Sequence, residues 1–420
     1  RVSEESFMQA DWLSDLKLRF SYGNSGNNNG VGPYATKAGP DTGNTILYNF
    51  GGTTVSGFGP GAPVNENLAW EKTRELNLAV DFGLFEGRVS GSVDIYDKLS
   101  DGLLMSRRLA IESGVGSMDD NIGSVSNKGV EVSLNTVNVS TKNFTWTTGF
   151  TFARNKNAIE SLYGKKEDVI GEKRFIGQPI NVEFDYLTNG VWSMAEYLSD
   201  ATVFNNYTFR PGSAKTVDTN GDGSITSDDK VILGSNNPDW TGAFMSKMRF
   251  KNWDFSFNVI TRQGVVAYDE FMEEYLHQRS RSIVKLDFDY YIPANAPVID
   301  WDNFVLDADG NPLDVGLKQT TEEHLGEYPL YRNNNNDYQG EGYKITDQSF
   351  VKVKNIVLGY TINNGIPKVG VDHLRVYANV LNPFVFTDYE GYDPEYAGTS
   401  LENGNGPAVI TYQLGVNLSF

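Results

Sequence analysis

The sequence predicts an all-β fold, a transmembrane antiparallel β-barrel, on three grounds: strand periodicity, composition and the alternation of short and long connections. The clearest strand is the last one, where small or polar residues alternate with the apolar residues Ile410, Tyr412, Leu414, Val416, Leu418 and Phe420. A period of two is typical of a strand with one apolar and one polar face, and about 9 to 11 residues suffice for a tilted strand to cross a bilayer. We therefore expect an outward-facing terminal-strand assembly signal made of Tyr412, Leu414, Val416, Leu418 and Phe420.

The composition fits such a barrel and excludes several other classes of protein. Glycine occurs 43 times and aromatic residues make up 13% of the 420 residues, as expected of tight turns and aromatic girdles. The hydrophobic fraction is 39%, and no apolar run approaches the length of about 18 residues that a membrane helix needs. The net charge of -19 argues against a nucleic-acid partner. The chain has no cysteine and hence no thiolate chemistry.

Alternation predicts ten spanning strands along the chain. In the first half they lie at about residues 16–22, 76–84, 89–105, 130–134 and 144–152. In the second half they lie at about residues 240–250, 253–259, 350–361, 374–386 and 410–420. The stretch from 155 to 238 is the least regular and contains one further candidate strand pair around 180–192, so the total is about 10 to 12 strands.

The connections between these strands form one short set and one long set. Short turns are predicted at the two-residue corner Glu86-Gly87, at 140–143, at Lys251-Asn252 and at 363–371, with an intermediate loop at 107–120. Long extracellular loops are predicted at about 23–67, 157–239, 269–345 and 388–407. Outer-membrane barrels place short turns in the periplasm and long loops outside. Counting back from Phe420, this rule holds throughout if 155–238 adds an even number of strands, whereas sandwich loops do not sort in this way.

One loop matches the twelve-residue pattern of a calcium-binding loop. Its oxygen-bearing positions are Asp218, Asn220, Asp222, Ser224 and Asp229, with a glycine at the sharp turn. Oxygen ligands at that spacing suit Ca²⁺, or Mg²⁺. The flanks do not predict paired helices, which disfavours an EF-hand, and the alternative is ordinary turn chemistry. We expect this ion in an extracellular loop and no other cofactor.

No motif in the sequence indicates catalysis. The three histidines, His277, His324 and His373, are far apart and form no zinc pattern. There is no GxSxG motif and no GxxxxGK[ST] loop, and no carboxylate pair stands out for glycosidase chemistry. We therefore predict that the chain is not an enzyme and has no catalytic residues.

The third long loop is rich in aromatic residues, which either stack on sugar rings or pack the loop on itself. They are Phe271, Tyr275, Tyr290, Tyr291, Trp301, Tyr328, Tyr331 and Tyr338. The first part of this loop, at 269–283, has the composition of a short helix. The sequence does not decide between the two roles, so no substrate-binding residue is assigned.

Several motifs resemble, in order, the SusC/RagA class of TonB-dependent outer-membrane transporters. They include WEKTRELNLAVDFGLFEGRVSG at 70–91, NIGSVSNKGVEVSLN at 121–135, VDTNGDGSITSDDKVILGSNNPDWTGAF at 217–244, FVKVKNIVLGYTI at 350–362 and LRVYANVLNPFVFTDYEGYDPE at 374–395. The similarity covers nearly the whole chain. It identifies residues 1–420 as resembling the carboxy-terminal barrel portion of that family, without the family's plug domain and TonB box.

This resemblance implies a complete barrel of about 22 strands in the bacterial outer membrane. It also implies TonB-dependent active import of an oligosaccharide, or peptide, nutrient. The implied partners are a SusD-like surface lipoprotein, the TonB complex through a region not in this chain, outer-membrane lipid and a second transporter–lipoprotein pair in a dimer. The alternatives are a secreted or surface carbohydrate-active enzyme or binding module with a structural calcium loop, and a small passive channel.

Overall fold

The structure is a computed structural model that describes the chain except residues 6, 9, 30, 31, 33, 34, 38, 40–45, 60, 62, 111, 113–115, 206, 270–288, 307–311, 331–341, 367–370, 392, 397–408 and 420. The strands of the first part are β1 (Leu13–Asn27), β2 (Leu47–Phe50), β3 (Thr53–Ser56), β4 (Glu71–Leu84), β5 (Val89–Arg108), β6 (Ser117–Ser140), β7 (Phe144–Leu162), β8 (Val182–Tyr186), β9 (Thr188–Val191), β10 (Val203–Phe204) and β11 (Tyr207–Thr208). They continue with β12 (Ala214–Thr216), β13 (Lys230–Ser235), β14 (Trp240–Phe250), β15 (Trp253–Gln263), β16 (Val266–Tyr268), β17 (Pro297–Leu306), β18 (Pro312–Gln319), β19 (Ile345–Asp347), β20 (Phe350–Ile366), β21 (Val371–Phe386) and β22 (Thr411–Ser419).

Among the described residues, helical structure lies in the connections and in the segment before β1. The α-helix in the described part of the chain is α1 (Met194–Leu198), and short 3-10 turns lie at Val2–Glu4, Ile170–Glu172, Ser227–Asp229, Gly342–Lys344 and Pro394–Tyr396. No helix among the described residues has both the length and the apolar character needed to cross a membrane.

Ten strands form one antiparallel sheet, which confirms the predicted all-β architecture. The order across the sheet is β1-β4-β5-β6-β7-β14-β15-β20-β21-β22, so each strand pairs with the sheet strands before and after it in the chain. The other strands pair two by two within the connections. β1 and β22 are the two edges of the sheet, and as far as the chain is described they do not pair with each other.

One face of this sheet is apolar and exposed, and we call it the outer face. On β4 the residues Leu76, Leu78 and Val80 lie on this face and are exposed, whereas the intervening Ala79 is buried. On the terminal strand Tyr412 and Leu414 are 78% and 87% exposed, and Val416 and Leu418 are exposed as well. Exposed apolar rows of this extent mark a surface that another apolar phase covers. Phe420, the last member of the predicted assembly signal, lies outside the described residues.

An aromatic row crosses the outer face near the short turns. Phe144 pairs with Phe250, Phe250 with Trp253, and Trp253 with Tyr360, so one register level joins four strands. The rings of Trp253 and Tyr360 lie 4.7 Å apart. Aromatic girdles of this kind lie at the interfaces of outer-membrane barrels, so this row marks one boundary of the apolar band.

Two predicted connections between strands need correction. The reversal after β4 is a four-residue loop at 85–88, not a two-residue corner at Glu86-Gly87, because Phe85, Glu86 and Gly87 all adopt positive φ. The loop predicted at 107–120 is shorter, since β5 runs to Arg108 and β6 starts at Ser117. The polar residues there still pair across the two strands, as Arg107 does with Met118. The turn at Lys251-Asn252 is confirmed.

The irregular stretch between β7 and β14 adds no strand to the large sheet. Strands do form at 182–186 and 188–191, but β8 pairs with β13 and β9 with β12, so the predicted pairing of these two with each other is wrong. These strands pair differently because the stretch folds around its own hydrophobic core, which consists of Tyr186, Trp192, Phe209 and Ile225. Among the described residues the large sheet therefore has ten strands, at the lower end of the prediction.

The long connections start and end close to their predicted limits. They span 28–70, 163–239, 264–349 and 387–410 between the strands of the large sheet. The predicted helix at 269–283 lies almost entirely outside the described residues. All four connections leave from the same end of the sheet, opposite the short turns.

Candidate functional site: the inner face of the sheet and its loops

The face opposite the exposed apolar rows, which we call the inner face, is polar and concave. Across β5, β6, β7, β14 and β15 it encloses a concavity of about 410 Å³. Its lining includes the charged residues Asp94, Glu131 and Arg262 and the hydroxyl residues Ser92, Thr151 and Thr241. A wall of hydroxyl and charged groups offers hydrogen bonds to a hydrophilic solute, which suits a path for water-soluble molecules.

An ion-pair network joins the first three strands of the sheet on this face. The guanidinium of Arg19 donates two hydrogen bonds of 2.8 Å to the two carboxylate oxygens of Asp81. A third bond, from Nη2, reaches Asp94 Oδ2 at 3.2 Å. The fork of an arginine side chain matches a carboxylate bidentately and thereby fixes its orientation. β1, β4 and β5 are thus held in register through their polar sides.

A second cross-strand ion pair lies on the inner face towards the opposite edge of the sheet, the edge formed by β22. Arg375 on β21 donates from Nε to Asp254 Oδ1 of β15 at 2.9 Å, spanning the intervening strand β20. The residue of β20 between them is Gly359, whose absent side chain leaves the room: a Cβ there would lie 2.5 Å from Asp254 Oδ1 and 2.6 Å from Arg375 Nη2. A Cβ at this position would therefore displace at least one partner of the ion pair from this arrangement.

A buried charge cluster anchors the last long loop to the wall. Lys352 on β20 is 1% exposed and donates to Asp393 Oδ2 and Glu395 Oε2, both at 2.7 Å. Lys354 donates to both Glu395 oxygens at 2.9 Å. Burial opposes the ionised form of Glu395, but the two ammonium groups outweigh it and hold the pKa of this carboxyl below its ordinary value. A buried charge is tolerated only when it is paired in this way.

Three asparagines form a hydrogen-bonded chain on the inner face of β6 and β7. The side-chain amides of Asn155 and Asn157 donate to Asn127 Oδ1 at 2.9 and 3.0 Å. Tyr96 Oη donates to Asn155 Oδ1 at 3.1 Å, and Asn157 Oδ1 accepts from the backbone N–H of Ile180 at 2.9 Å. The chain borders a second concavity of about 280 Å³. It also ties the loop after β7 to the wall.

The described aromatic residues of the third long loop pack the loops together. Tyr290 and Tyr291 are buried, and Tyr291 Oη donates to Glu323 at 2.9 Å, while Glu323 also accepts from the backbone N–H of Met194. Tyr328 Oη donates to Glu390 at 2.8 Å, and burial followed by that carboxylate raises the pKa of Tyr328. Tyr290, Tyr291 and Tyr328 therefore pack the loops against one another, which is one of the two roles that the sequence left open. Phe271, Tyr275, Tyr331 and Tyr338 lie outside the described residues, as does the side chain of Trp301.

The predicted calcium-loop residues lie in one turn of the second long connection. Asp218 accepts from the N–H groups of Gly221 and Gly223 at 2.7 and 2.8 Å. Asn220 and Asp222 each accept from the N–H two residues on, and for Asp222 that donor is Ser224. Side chain-to-backbone hydrogen bonds of this kind are typical of Asx turns.

Asp229 closes the loop from its far end. Its buried carboxylate accepts from the N–H groups of Thr219 and Thr226 at 2.9 and 2.8 Å. Although burial opposes ionisation, these amide bonds hold the pKa of Asp229 below its usual range. Within the described residues the acidic side chains are not gathered into a three-ligand cluster.

Sequence reasoning missed the inner-face networks. The alternation places Arg19, Asp81 and Asp94 on the polar side of their strands, which is the signal that was available. Which of them meet depends on the register between strands, because the partners are far apart in the sequence. Arg19 and Asp81 are separated by 62 residues, and Arg375 and Asp254 by 121.

The chain is similar in sequence to TonB-dependent receptors of known name. TonB-dependent receptor P26 of Formosa agariphila is 31% identical over 444 residues, which cover 100% of this chain and 41% of the receptor. TonB-dependent receptor SusC of Bacteroides thetaiotaomicron is 30% identical over 431 residues, covering 100% of this chain and 39% of that receptor. No protein-family model matches the chain.

The solved structures agree on the fold. The RagAB peptide transporter superposes with a TM-score of 0.70 at 21% identity, covering 100% of this chain and 42% of the transporter chain. The chain thus spans about two fifths of the length of the relatives it matches. These relatives are receptors and transporters, not enzymes. The predicted localisation in the bacterial outer membrane is confirmed. The chain therefore belongs to the SusC-like TonB-dependent receptors and corresponds over its whole length to a carboxy-terminal barrel portion of such a receptor.

Proposed function

We propose that the chain supplies wall and extracellular loops to a protein that performs TonB-dependent import of a nutrient across the bacterial outer membrane. The observation that carries this proposal is the 30% identity to SusC over 100% of the chain. The polar, concave inner face supports it, because a hydrophilic solute needs a hydrophilic path. The activity is that of the whole protein, of which this chain is about two fifths by comparison with its relatives.

We further propose an oligosaccharide as the nutrient, with a peptide as the alternative. The inner face supports this choice because side-chain amides and hydroxyls pair well with sugar hydroxyls. Asn127, Asn155 and Asn157 present such amides beside one concavity, and Ser92 and Thr151 present hydroxyls in the other. The peptide alternative draws on the similarity in fold to the RagAB peptide transporter.

The test is growth of the parent bacterium with and without this protein. On oligosaccharides as sole carbon source, we expect the deletion strain to fail where the parent grows, while both grow on the constituent monosaccharides. Inactivating TonB should reproduce the defect. A defect confined to peptides would replace the oligosaccharide assignment, and unchanged growth and uptake on all oligosaccharides and peptides tried would refute import.

The proposed partners are a SusD-like lipoprotein at the long-loop end, the TonB complex acting through a region not in this chain, and a second copy of the pair. The relatedness to SusC supports the first two. Affinity purification of the tagged protein from solubilised outer membranes should recover a surface lipoprotein in equal amount. Blue native electrophoresis then distinguishes one pair from two.

We also propose that the loop at 218–229 binds Ca²⁺, or Mg²⁺. The ligand spacing supports it, because Asp218, Asp222 and Asp229 supply three carboxylates within twelve residues. The expected result is calorimetric heat on Ca²⁺ addition and slower proteolysis of this loop, both abolished in Asp222→Ala. Absence of heat together with unchanged proteolysis would leave turn chemistry as the whole role of these residues.

A further inference from the structure

A cluster of basic side chains lies on the outer face, at the long-loop end of the apolar band. We call it the basic patch, and its members are Lys72 and Arg74 on β4, Lys128 on β6, and Arg154 and Lys156 on β7. Each lies on the outer face because alternation places it in line with exposed apolar residues of the same strand, such as Leu76 and Leu78 on β4. All five side chains are exposed.

The register shows that the patch directly continues the apolar band. One level across the sheet joins Phe20, Leu78, Ile95, Val130 and finally Arg154. The next level towards the loops joins Tyr22, Leu76, Asp97, Lys128 and Lys156. Apolar side chains thus give way to charged ones within one or two levels. In a membrane barrel, the level at which this change occurs meets the lipid head groups.

The charges in the patch are poorly compensated by the protein. Lys128 and Lys156 are direct cross-strand partners, and like charges in that position destabilise a sheet. Lys128 pairs with Asp97 at 3.1 Å. Among the described residues, Lys72, Arg74, Arg154 and Lys156 make no ion pair with any carboxylate. The acidic cross-strand neighbours of the patch on β5 are Asp97 and Asp101, so cations are in local excess. This excess contrasts with the net charge of -19 of the whole chain.

We propose that the basic patch binds the phosphate groups of lipid in the outer leaflet of the outer membrane. The long-loop end of the strands is the extracellular end, so the patch meets the outer-leaflet head groups. Phosphate is the anion that Lys and Arg clusters recognise at membrane surfaces. The apolar rows immediately below contact the acyl chains of the same lipid. Charge complementarity and continuity with the lipid-facing band both point to a lipid phosphate.

The test uses the whole protein, extracted from outer membranes in mild detergent. Native mass spectrometry measures the retention of a bis-phosphorylated glycolipid of the lipid A type, its dephosphorylated form and phosphatidylethanolamine. We expect preferential retention of the phosphorylated glycolipid by the wild type. The triple variant Lys128→Gln/Arg154→Gln/Lys156→Gln should weaken it about tenfold or more, since each cation near an anionic surface contributes to binding.

A matched control removes equal charge from the opposite face: Lys17→Gln/Lys247→Gln/Arg249→Gln. These residues alternate onto the inner face and should leave lipid retention unchanged. A second variant, Lys128→Arg/Lys156→Arg, keeps the charge and should retain lipid, which separates a charge effect from a folding defect. Equal loss in the control, unchanged retention in the triple variant, or equally strong binding of soluble polyphosphate would overturn the proposal.

Discussion

At the residue scale, the inner-face ion pair of Arg375 and Asp254 depends on a missing side chain. Gly359 lies on the strand between the two partners, and the ion pair occupies the space that a Cβ at this position would take. β-sheets disfavour glycine because it has no side chain to pack. Its presence here is explained by the approach of the guanidinium and the carboxylate over the backbone.

We expect Gly359→Ala to destabilise the protein by about 1 kcal/mol, the usual net value of a hydrogen bond, because the tips of two side chains must move and their hydrogen bonds weaken. The added methyl would force Asp254 or Arg375 to move, because it would lie within 2.6 Å of both. The matched control is Gly23→Ala on β1, where a Cβ would meet no atom within 4 Å. Chemical unfolding in detergent measures both midpoints, and equal midpoints would show that the pair can shift at no cost.

At the element scale, the terminal strand β22 is the clearest case of a strand with two different environments. Leu414 on the outer face is 87% exposed, while its neighbour Gln413 points to the inner face and accepts from Asn379. In a bilayer the outer face contacts the hydrocarbon of the lipid. The surface of Leu414 that the protein leaves uncovered is therefore in contact with acyl chains.

Leu414→Arg should therefore impair assembly at a cost of up to roughly 2 to 4 kcal/mol, the value for a charge at the midplane, whereas Gln413→Arg should be mild. The reason is that the first places a charge in lipid and the second places it in a polar lumen. Amounts of the assembled protein in outer membranes, read by heat-modifiable mobility on gels, measure the difference. Similar assembly of the two variants would contradict the assignment of the faces.

At the scale of the whole molecule, the long loops are fastened to the wall and to one another. Lys352 ties the last loop to β20, and Asn157 ties the loop after β7 to the wall. Glu323 joins the second and third connections, because it accepts from the backbone N–H of Met194 as well as from Tyr291. The loops therefore form an assembly over one end of the sheet rather than independent excursions.

Breaking the buried cluster should release the last loop. Lys352→Met leaves Asp393 without its buried partner and should cost about 3 to 5 kcal/mol of local stability. Limited proteolysis within 387–410 should accelerate, while cleavage within 163–239 should stay as in the wild type. Lys318→Met, in another loop strand, serves as the control for loss of a lysine.

Acid should have a similar effect without mutation. The pKa of Glu395 is lowered in the folded protein from the ordinary 4.5. Its bonds therefore contribute stability above that value and lose it as the pH falls through the lowered pKa. Proteolysis of the last loop by an acid-active protease should rise below about pH 4 in the wild type. In Glu395→Gln this pH response should shrink, and an unchanged response would place the titrating group elsewhere.

The sequence by itself determined the faces of the strands, because an alternation with period two sends every second residue to the same side. It thereby determined the all-β architecture and a count of about 10 to 12 strands, of which the large sheet has ten. Tertiary structure decided which polar residues meet, since pairs such as Arg19 with Asp81 depend on register between strands. It also decided that the stretch from 163 to 239 folds on its own core, because that choice depends on contacts among Tyr186, Trp192 and Phe209, which no local period encodes.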